Sequence, residues 1–180
     1  MIFQLLRRRF RRQTIDALYG AIVAQARHPV FYRDFGVPDT VDGRFEMIAL
    51  HVFLVLHRLK AEPGTEDFRQ ALFDTMFADM DRSLREMGVS DLSVGRHVKN
   101  MAKGLYGRIA AYEGGLADAQ DAALGEAIRR NVYGTLPASP DVRPLIAYLR
   151  ANAAALAAQN VDDIVAGQPR FVEPQGAGVH

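Results

Sequence analysis

Apolar residues recur at three- and four-residue intervals along almost the whole chain, which is the spacing of amphipathic helices. The sequence TIDALYGAIVAQAR predicts a first helix that ends near His28 and Pro29. Its inward positions are Ile15, Leu18, Ile22 and Val23. No segment alternates convincingly between apolar and polar residues as a half-buried strand does. The pattern therefore predicts an all-α fold.

The most apolar stretch, DGRFEMIALHVFLVLHRLK, predicts a second helix over about residues 44–59, with Asp42 as its N-cap. From Met47 to Leu59 this helix is apolar on nearly every side, as is typical of a helix surrounded by others. A bilayer-spanning helix needs roughly 20 largely apolar residues, whereas the run from Met47 to Leu56 is shorter and contains His51. We therefore predict a single-domain bundle of about six helices around this central helix.

Four further helices follow in the sequence. The third begins near Thr65 and ends near Gly88, the fourth follows VGRHVKNMAKGLYGRIAAYEGG, and the fifth and sixth cover about residues 119–133 and 142–158, with Asp141 capping the sixth. The third helix places one apolar stripe on a single face: Phe68, Leu72, Phe73, Met76, Phe77, Met80 and Leu84. Glycines are unfavourable inside a helix, so Gly104 and Gly107 predict a closely packed neighbour of the fourth helix.

Two segments lack helical spacing. HPVFYRDFGVPDTVDG, rich in proline, glycine and aspartate, predicts an irregular connection between the first two helices. After Gly167 the sequence QPRFVEPQGAGVH predicts a disordered tail. The expected organisation is a basic arm over residues 1–12, a helical domain over 13–166 and a tail over 167–180, without an internal repeat or an interdomain linker.

The N-terminal arm, MIFQLLRRRFRRQ, holds the one strong cluster of charge. Its apolar residues precede its arginines, which is the reverse of a secretory signal. Wound as a helix, it places Ile2, Phe3, Leu5, Leu6 and Phe10 on one side and Arg7, Arg8, Arg11 and Arg12 on the other. Such a segment suits an anionic membrane, RNA or a partner protein. A frayed arm that only increases solubility is an equally open interpretation.

Composition excludes several classes of function. The chain has 180 residues, which suits one domain, and a formal net charge of +1, which gives no overall bias toward nucleic acid and no expectation of a DNA partner. It contains no cysteine, so disulfides, thiolate catalysis and cysteine-ligated metals are excluded. Serine nucleophile elbows, phosphate loops and dinucleotide fingerprints are missing from the sequence. We therefore expect no catalytic residue and no cofactor.

Two groups of residues are candidate metal ligands. His51 and His57 are six residues apart, which on a helix separates them by about 240°, so they cannot clamp one metal from one face. Asp74 and Asp81 share a face of the third helix, but Asp79 points elsewhere, and no second acidic cluster completes a metal cage. A hydrogen-bonded buried His51 and solvated carboxylates are the favoured interpretations, and no metal site is expected.

Basic and aromatic residues in two segments of the sequence are candidates for a docking surface. Six basic residues flank the predicted turn between the third and fourth helices: Arg82, Arg85, Arg96, Lys99, Lys103 and Arg108. An apolar and aromatic group lies on the irregular connection: Phe31, Tyr32, Phe35 and Val37. Aromatic residues on irregular backbone beside basic residues suit a docking surface. They also suit a seal at the edge of the core, and both interpretations stay open.

The segments FYRDFGVPDTVDGRFEMIALHVFLVLHRL and LFDTMFADMDRSLREMGVSDLSVGRHVKNMAKGLYGRIAAY, spanning about residues 31–112, resemble the ubiquinol–cytochrome c chaperone family, the assembly factors of the respiratory bc1 complex. AIRRNVYG resembles a later segment of the same family. No single short motif is decisive, but the ordered combination of VPDT, GRFE, MDRSLREMGVSDLSVG and YGR is specific.

The resemblance implies an all-α, non-catalytic chaperone that binds newly made cytochrome b and supports its haem loading and its incorporation into the complex. Mitochondrial members work with a small partner subunit near the ribosome exit and the inner membrane. Because almost nothing precedes the first predicted helix, we expect a bacterial member that is cytoplasmic and peripheral to the inner membrane, and the partner subunit stays open.

Joining the resemblance to the surface argument gives candidate binding residues. Contact with the client or a partner is expected at Phe31, Tyr32, Phe35, Val37, Arg82, Arg85, Arg96 and Lys99. Contact with an anionic membrane or the ribosome is expected at Phe3, Arg7, Arg8, Phe10, Arg11 and Arg12. Residues at the family motif positions are Arg44, Glu46, Arg82, Arg85 and Glu86, although ion pairs that link helices explain them as well.

The alternative class is a helical ligand-binding protein or a metal-dependent enzyme acting on a prenylated quinone-like substrate. It requires either divalent metal at Asp74 and Asp81 or a deep pocket beneath Gly104 and Gly107.

Overall fold

A computed structural model describes the backbone of residues 2–176 and the side chains from residue 12 onward. The helices are α1 (Ile2–Ala26), α2 (Pro29–Arg33), α3 (Val41–Lys60), α4 (Glu66–Glu86), α5 (Asp91–Ala117), α6 (Asp121–Asn131), α7 (Arg143–Ala157) and α8 (Val161–Val165). The described residues contain no strand. The all-α prediction is thus confirmed. The six predicted helices correspond to the six long ones, and α2 and α8 are short additions. The backbone of the predicted arm is continuous with α1.

Helix α3 is buried along most of its length, and every residue from Phe45 to Leu56 is buried. It contacts α1, α4, α5 and α7, which accounts for apolar residues on all of its sides. Among the described residues, none of the helices combines the length and the hydropathy that crossing a bilayer requires.

The predicted N-cap of α3 is wrong by two residues. Thr40, not Asp42, precedes the helix with extended backbone, and its hydroxyl accepts a hydrogen bond from the Gly43 amide at 3.2 Å. Asp42 lies in the first turn, where a carboxylate is favourable near the helix N-terminus. Val142 directly precedes α7, but the expected capping by Asp141 is present, because its carboxylate accepts a hydrogen bond from the Arg143 amide at 3.0 Å.

The connection between α1 and α3 is more ordered than predicted. Pro29 opens the five-residue helix α2, and the His28 ring nitrogen Nδ1 accepts a hydrogen bond from the Val30 amide at 3.3 Å. Proline is compatible with the first turn of a helix because its missing amide hydrogen is not needed there.

Close helix packing occurs at a different glycine from those predicted. A Cβ atom at Gly107 would meet nothing within 4 Å, and one at Gly104 would lie 2.6 Å from Nη1 of Arg108, which belongs to the same helix and not to a neighbouring one. A Cβ atom at Gly115 would instead lie 2.7 Å from Cα of Leu124. Gly115 therefore lets α5 and α6 approach, and the expectation for Gly104 and Gly107 is wrong.

The expected disorder after Gly167 does not hold for residues 168–173, which we call the C-terminal strap. Oε1 of Gln159 accepts a hydrogen bond from the Arg170 amide at 2.9 Å, and Oδ1 of Asn152 accepts one from the Val172 amide at 2.9 Å. Phe171 between them packs against the core. The strap is thus held by Asn152 on α7 and by Gln159 just after this helix, whereas residues 177–180 lie outside the described part of the chain.

Candidate functional site

A groove of about 860 Å³ opens between the start of α3, the second half of α4, the middle of α5 and the end of α6. We call it the four-helix groove. Its apolar lining includes three methionines, Met80, Met87 and Met101, and three side chains of α3, Val41, Phe45 and Ile48. Methionine side chains adapt to apolar surfaces of different shapes. The groove can therefore accept an apolar segment without demanding one fixed contour.

A buried ion pair joins α3 and α5 at the base of this groove. Nε of Arg108 on α5 donates a hydrogen bond to Oε2 of Glu46 on α3 at 2.7 Å, and Nη2 donates a second one to Oε1. Burial raises the pKa of Glu46, opposed by the hydrogen bonds from Arg108, and those same bonds raise the pKa of Arg108. The Arg108 guanidinium also lies over the ring of Phe45, 5.6 Å from its centroid. The pair fixes α5 against α3.

The rim of the groove carries unpaired charges of both signs. Arg27 and Arg130 are exposed and form no ion pair with any described residue, and the same holds for Asp42 and Glu86. Such a rim is polar and solvated while the methionines below it are apolar. This arrangement resembles the apolar centre and polar edge of protein docking sites.

Two of the four basic residues predicted to bind a client or partner form ion pairs within the protein. Arg82 contacts Asp79 at 2.7 Å, and Arg85 contacts Asp81 at 2.7 Å and also Asp91 at the start of α5. At the family motif positions Arg44 likewise contacts Asp39 at 2.7 Å. The interpretation as structural ion pairs therefore accounts for these arginines.

The other two predicted basic residues are free. Arg96 and Lys99 on α5 are exposed and make no ion pair with a described residue. Lys103 is also exposed and also makes no such ion pair. The basic cluster predicted around the α4–α5 turn thus divides into a paired half on α4 and an unpaired half on α5.

Three of the predicted docking residues between α1 and α3 lie in the core. Phe31, Phe35 and Val37 are buried, and the Phe31 ring contacts those of Phe35 and Tyr148 edge to face. Only Tyr32 keeps a partly exposed ring, and its hydroxyl donates to the Ala26 carbonyl at 2.9 Å. These side chains seal the edge of the core and offer no docking surface in this conformation.

Most of the predicted membrane or ribosome contacts cannot be placed. The side chains of Phe3, Arg7, Arg8, Phe10 and Arg11 lie outside the described residues. Arg12 is described and exposed.

His51 is part of a buried hydrogen-bond chain. Its Nδ1 lies 2.7 Å from the Met47 carbonyl oxygen, which can only accept, so this nitrogen carries the proton. Nε2 therefore accepts from the Tyr148 hydroxyl at 2.8 Å, and that hydroxyl accepts from Gln25 at 3.1 Å. Burial lowers the pKa of His51 to about 4, so the ring is neutral. Both ring nitrogens are engaged.

Hydrogen bonds also account for two of the aspartates that are candidate metal ligands in the sequence. Asp74 accepts from Gln70 at 2.8 Å, and Asp79 accepts from the Tyr19 hydroxyl at 2.9 Å. Within the described residues no three His, Asp or Glu side chains come together as metal ligands would. Of the two glycines beneath which the enzyme alternative places a deep pocket, Gly107 lies on the exposed side of α5. Gly104 lies beside the Arg108 guanidinium, which lines the four-helix groove.

Sequence reasoning missed the four-helix groove. Met80 lies on α4, Met87 just after it and Met101 on α5, and Arg27 and Arg130 are more than a hundred positions apart in the sequence. Only the packing of α1 and of α3 to α6 brings them together, so no local motif marks the site.

Comparison with known protein families shows a match over more than half of the chain. A family model described as ubiquinol-cytochrome C chaperone matches residues 33–171. The crystal structure of the Cbp3 homolog from Brucella abortus superposes with a TM-score of 0.84 at 38% sequence identity and covers 96% of this chain and 97% of that one.

Two eukaryotic proteins are more distantly similar. Protein CBP3, mitochondrial, of Saccharomyces cerevisiae is 32% identical over 108 residues, which are 58% of this chain and 32% of the yeast protein. Ubiquinol-cytochrome c reductase complex assembly factor 1 of Mus musculus is 25% identical over 150 residues, which are 82% of this chain and 50% of the mouse protein. The chain thus spans a third of one relative and half of the other.

Proposed function

The chain belongs to the ubiquinol-cytochrome C chaperone family, and from this premise we propose that it is a non-catalytic assembly chaperone for the ubiquinol–cytochrome c reductase complex. The family predicted from the ordered sequence motifs is the family that matches. Extension of that match over most of the helical domain is the observation that carries the proposal. The mouse relative, whose name states that it is an assembly factor for this complex, supports it.

We propose that the client is newly made cytochrome b and that the four-helix groove receives one of its segments. A membrane protein subunit exposes apolar segments before it is assembled, and such segments need an apolar surface to shield them. Met80, Met87 and Met101 offer that surface, while Arg27 and Arg130 suit polar groups beside the segment. The fixed Glu46–Arg108 pair supports the groove from below.

Two further interactions belong to the proposal. The basic arm, which includes Arg12, would bring the chaperone to the ribosome or to the anionic face of the membrane where the client is made. A small partner subunit would share the remaining surface. The site of action would be the cytoplasmic side of the membrane that holds the complex.

Deletion of the gene in the source organism tests the function. We expect selective loss of cytochrome b from the reduced-minus-oxidised haem spectrum of membranes, with other cytochromes intact. An unchanged spectrum would refute the proposal. Complementation then tests the groove: Met87→Asp should fail to restore cytochrome b, whereas Ala119→Asp, at another exposed position, should restore it.

A charge reversal tests the rim independently. Arg27→Glu with Arg130→Glu should reduce recovery of cytochrome b more than the matched pair Arg129→Glu with Arg143→Glu, which changes the same net charge elsewhere. Equal recovery with both pairs would exclude a role of Arg27 and Arg130 in client binding while leaving the assembly function in place.

A further inference from the structure

One face of α5 is free of neighbours over most of the helix. At about 100° per residue, Leu92, Arg96, Lys99, Lys103 and Tyr106 fall within roughly 80° of one another. With a rise of about 1.5 Å per residue they form a straight row about 21 Å long. We call this row the α5 stripe. All five residues are exposed, whereas Val94, Leu105 and Tyr112 on the opposite side of the helix are buried.

The stripe is positively charged and locally uncompensated. Arg96, Lys99 and Lys103 form no ion pair with any described residue. The sequence has no acidic residue between Asp91 and Glu113, and Asp91 itself already contacts Arg85. Most other exposed arginines of the fold have an acidic partner nearby, so three adjacent free cations on one helix are a distinct feature of this surface.

The two ends of the stripe are not basic. Leu92 is 92% exposed and Tyr106 is 62% exposed, which makes them the most exposed large apolar side chains described. The Tyr106 ring stacks on Phe73 of α4, with centroids 5.3 Å apart, so its position is fixed. An exposed leucine and an oriented tyrosine thus project beside three cations.

We propose that the α5 stripe docks the protein on the surface of an anionic membrane, with the three cations at the level of the lipid phosphates and with Leu92 and Tyr106 entering the interface. Lysine and arginine near an anionic bilayer gain electrostatic attraction, and tyrosine and leucine favour the boundary between headgroups and acyl chains.

The shape of the stripe favours a membrane over the other anionic partners. A straight, convex row matches a planar surface, whereas a protein partner needs a complementary recess. Phe73 covers one face of the Tyr106 ring, which leaves a single face for an RNA base to stack on. This inference rests on the geometry of α5 and does not depend on the identity of the client.

Vesicle binding by the full chain tests the charge of the stripe. The variant Arg96→Gln, Lys99→Gln, Lys103→Gln is compared with Arg33→Gln, Arg129→Gln, Arg143→Gln, which removes the same charge from other exposed positions. On vesicles of phosphatidylcholine with phosphatidylglycerol, we expect the stripe variant to lose about fivefold in affinity per charge, or on the order of a hundredfold in total. The control variant should lose much less affinity. Neither variant should bind vesicles of phosphatidylcholine alone.

A fluorescent label reports which face meets the bilayer. The sequence has no cysteine, so Leu92→Cys creates a single attachment site for an environment-sensitive dye, and Ala119→Cys provides the control site. Binding to anionic vesicles should shift the emission of the dye at position 92 to shorter wavelength and leave the dye at position 119 unchanged. Neutralising Arg96, Lys99 and Lys103 in the labelled protein should abolish the shift.

Each contrary outcome overturns the proposal. Equal vesicle affinity of the two triple variants would mean that other basic residues, such as those of the arm, carry all of the attraction. If the protein binds the vesicles but the emission of the dye at position 92 does not shift, this face of α5 does not enter the membrane interface. Loss of affinity only for RNA or for an acidic protein would assign the stripe to that partner instead. None of these results would bear on the assembly function, since vesicle binding needs no client.

Discussion

Arg108 on α5 donates two hydrogen bonds to the buried carboxylate of Glu46 on α3, one of them from Nε to Oε2 at 2.7 Å. The two residues are 62 positions apart and lie on different helices. The pair therefore helps to set the distance between α3 and α5. Glu46 is 5% exposed, and a carboxylate at such a depth requires a charged, hydrogen-bonded partner.

Replacing Arg108 with methionine should lower the free energy of unfolding by about 3 kcal/mol, because Glu46 would be left buried without its partner. Urea denaturation measures the change. In the variant, the pKa of Glu46 in the folded state rises further above its unfolded value, so stability should recover as the pH falls and Glu46 takes up a proton.

Two variants make this result specific. Glu46→Leu with Arg108→Met should lose less than Arg108→Met alone, because an apolar pair leaves no buried charge. Arg82→Met removes an exposed ion pair with Asp79 and should change the stability by about 0.5 kcal/mol or less. A loss of that small size for Arg108→Met would show that the buried pair does not hold the helices together.

The depressed pKa of His51 predicts that the protein loses stability in mild acid. Burial holds this pKa at about 4 in the folded protein, against about 6.5 in the unfolded chain. Above the unfolded value both states are neutral and His51 contributes no pH dependence. As the pH falls from about 6.5 toward 4 the unfolded chain binds the proton first, which lowers the free energy of unfolding by about 2 kcal/mol at pH 5.

Urea denaturation at a series of pH values measures this loss in the parent protein and in His51→Gln. The variant should show a pH dependence that is smaller by that amount, since its side chain cannot titrate. His97→Gln is the control, because His97 is exposed. A pH dependence that persists in His51→Gln would assign the acid sensitivity to other groups.

Local patterns predicted the long helices because their apolar periodicity reflects burial directly. Residues 45–56 are buried on every side, and the sequence there is apolar on nearly every side. Arg82 and Arg85 pair with Asp79 and Asp81 within one helix, whereas the ion pairs weighed from the sequence were ones that link helices.

Local sequence patterns do not predict features formed by residues that are distant in the sequence. The aromatic residues after α1 have no helical period because α2 contains only five residues. The sequence therefore leaves open whether Phe31 lies on a docking surface or at the edge of the core, where the structure places it. The strap is held by amide side chains 11 and 20 positions away, and nothing in QPRFVEPQ marks such partners. The groove depends on the packing of α3 to α6, which no single segment encodes.

The strap should detach when its amide partner on α7 is removed. Asn152→Ala eliminates the acceptor for the Val172 amide and should expose that amide to solvent, with hydrogen exchange at Val172 at least tenfold faster. The free energy of unfolding should fall by about 1–2 kcal/mol, since the Val172 amide loses its partner. Asn100→Ala is the control at an exposed asparagine on α5. Unchanged exchange at Val172 would mean that Phe171 and Gln159 hold the strap without Asn152.

Two glycines of α5 should respond to alanine in opposite directions. A methyl group at Gly115 would lie 2.7 Å from Cα and 3.0 Å from the backbone nitrogen of Leu124, so α5 and α6 would have to separate. Overpacking against backbone is expected to lower the free energy of unfolding by about 1–3 kcal/mol. A methyl group at Gly107 would meet nothing within 4 Å. Because glycine is the weaker helix former, Gly107→Ala should instead raise the free energy of unfolding by up to about 1 kcal/mol.

Urea denaturation of both variants under one set of conditions compares the two helix positions, since the chemical change is the same in each. If Gly115→Ala were as stable as Gly107→Ala, α6 would have to shift away from α5 at no cost, and the contact between these helices would not be the close one described. If Gly107→Ala were the less stable of the two, a neighbour would have to cover that exposed face of α5. The sign of the difference between the two variants therefore tests where α5 is packed and where it is free.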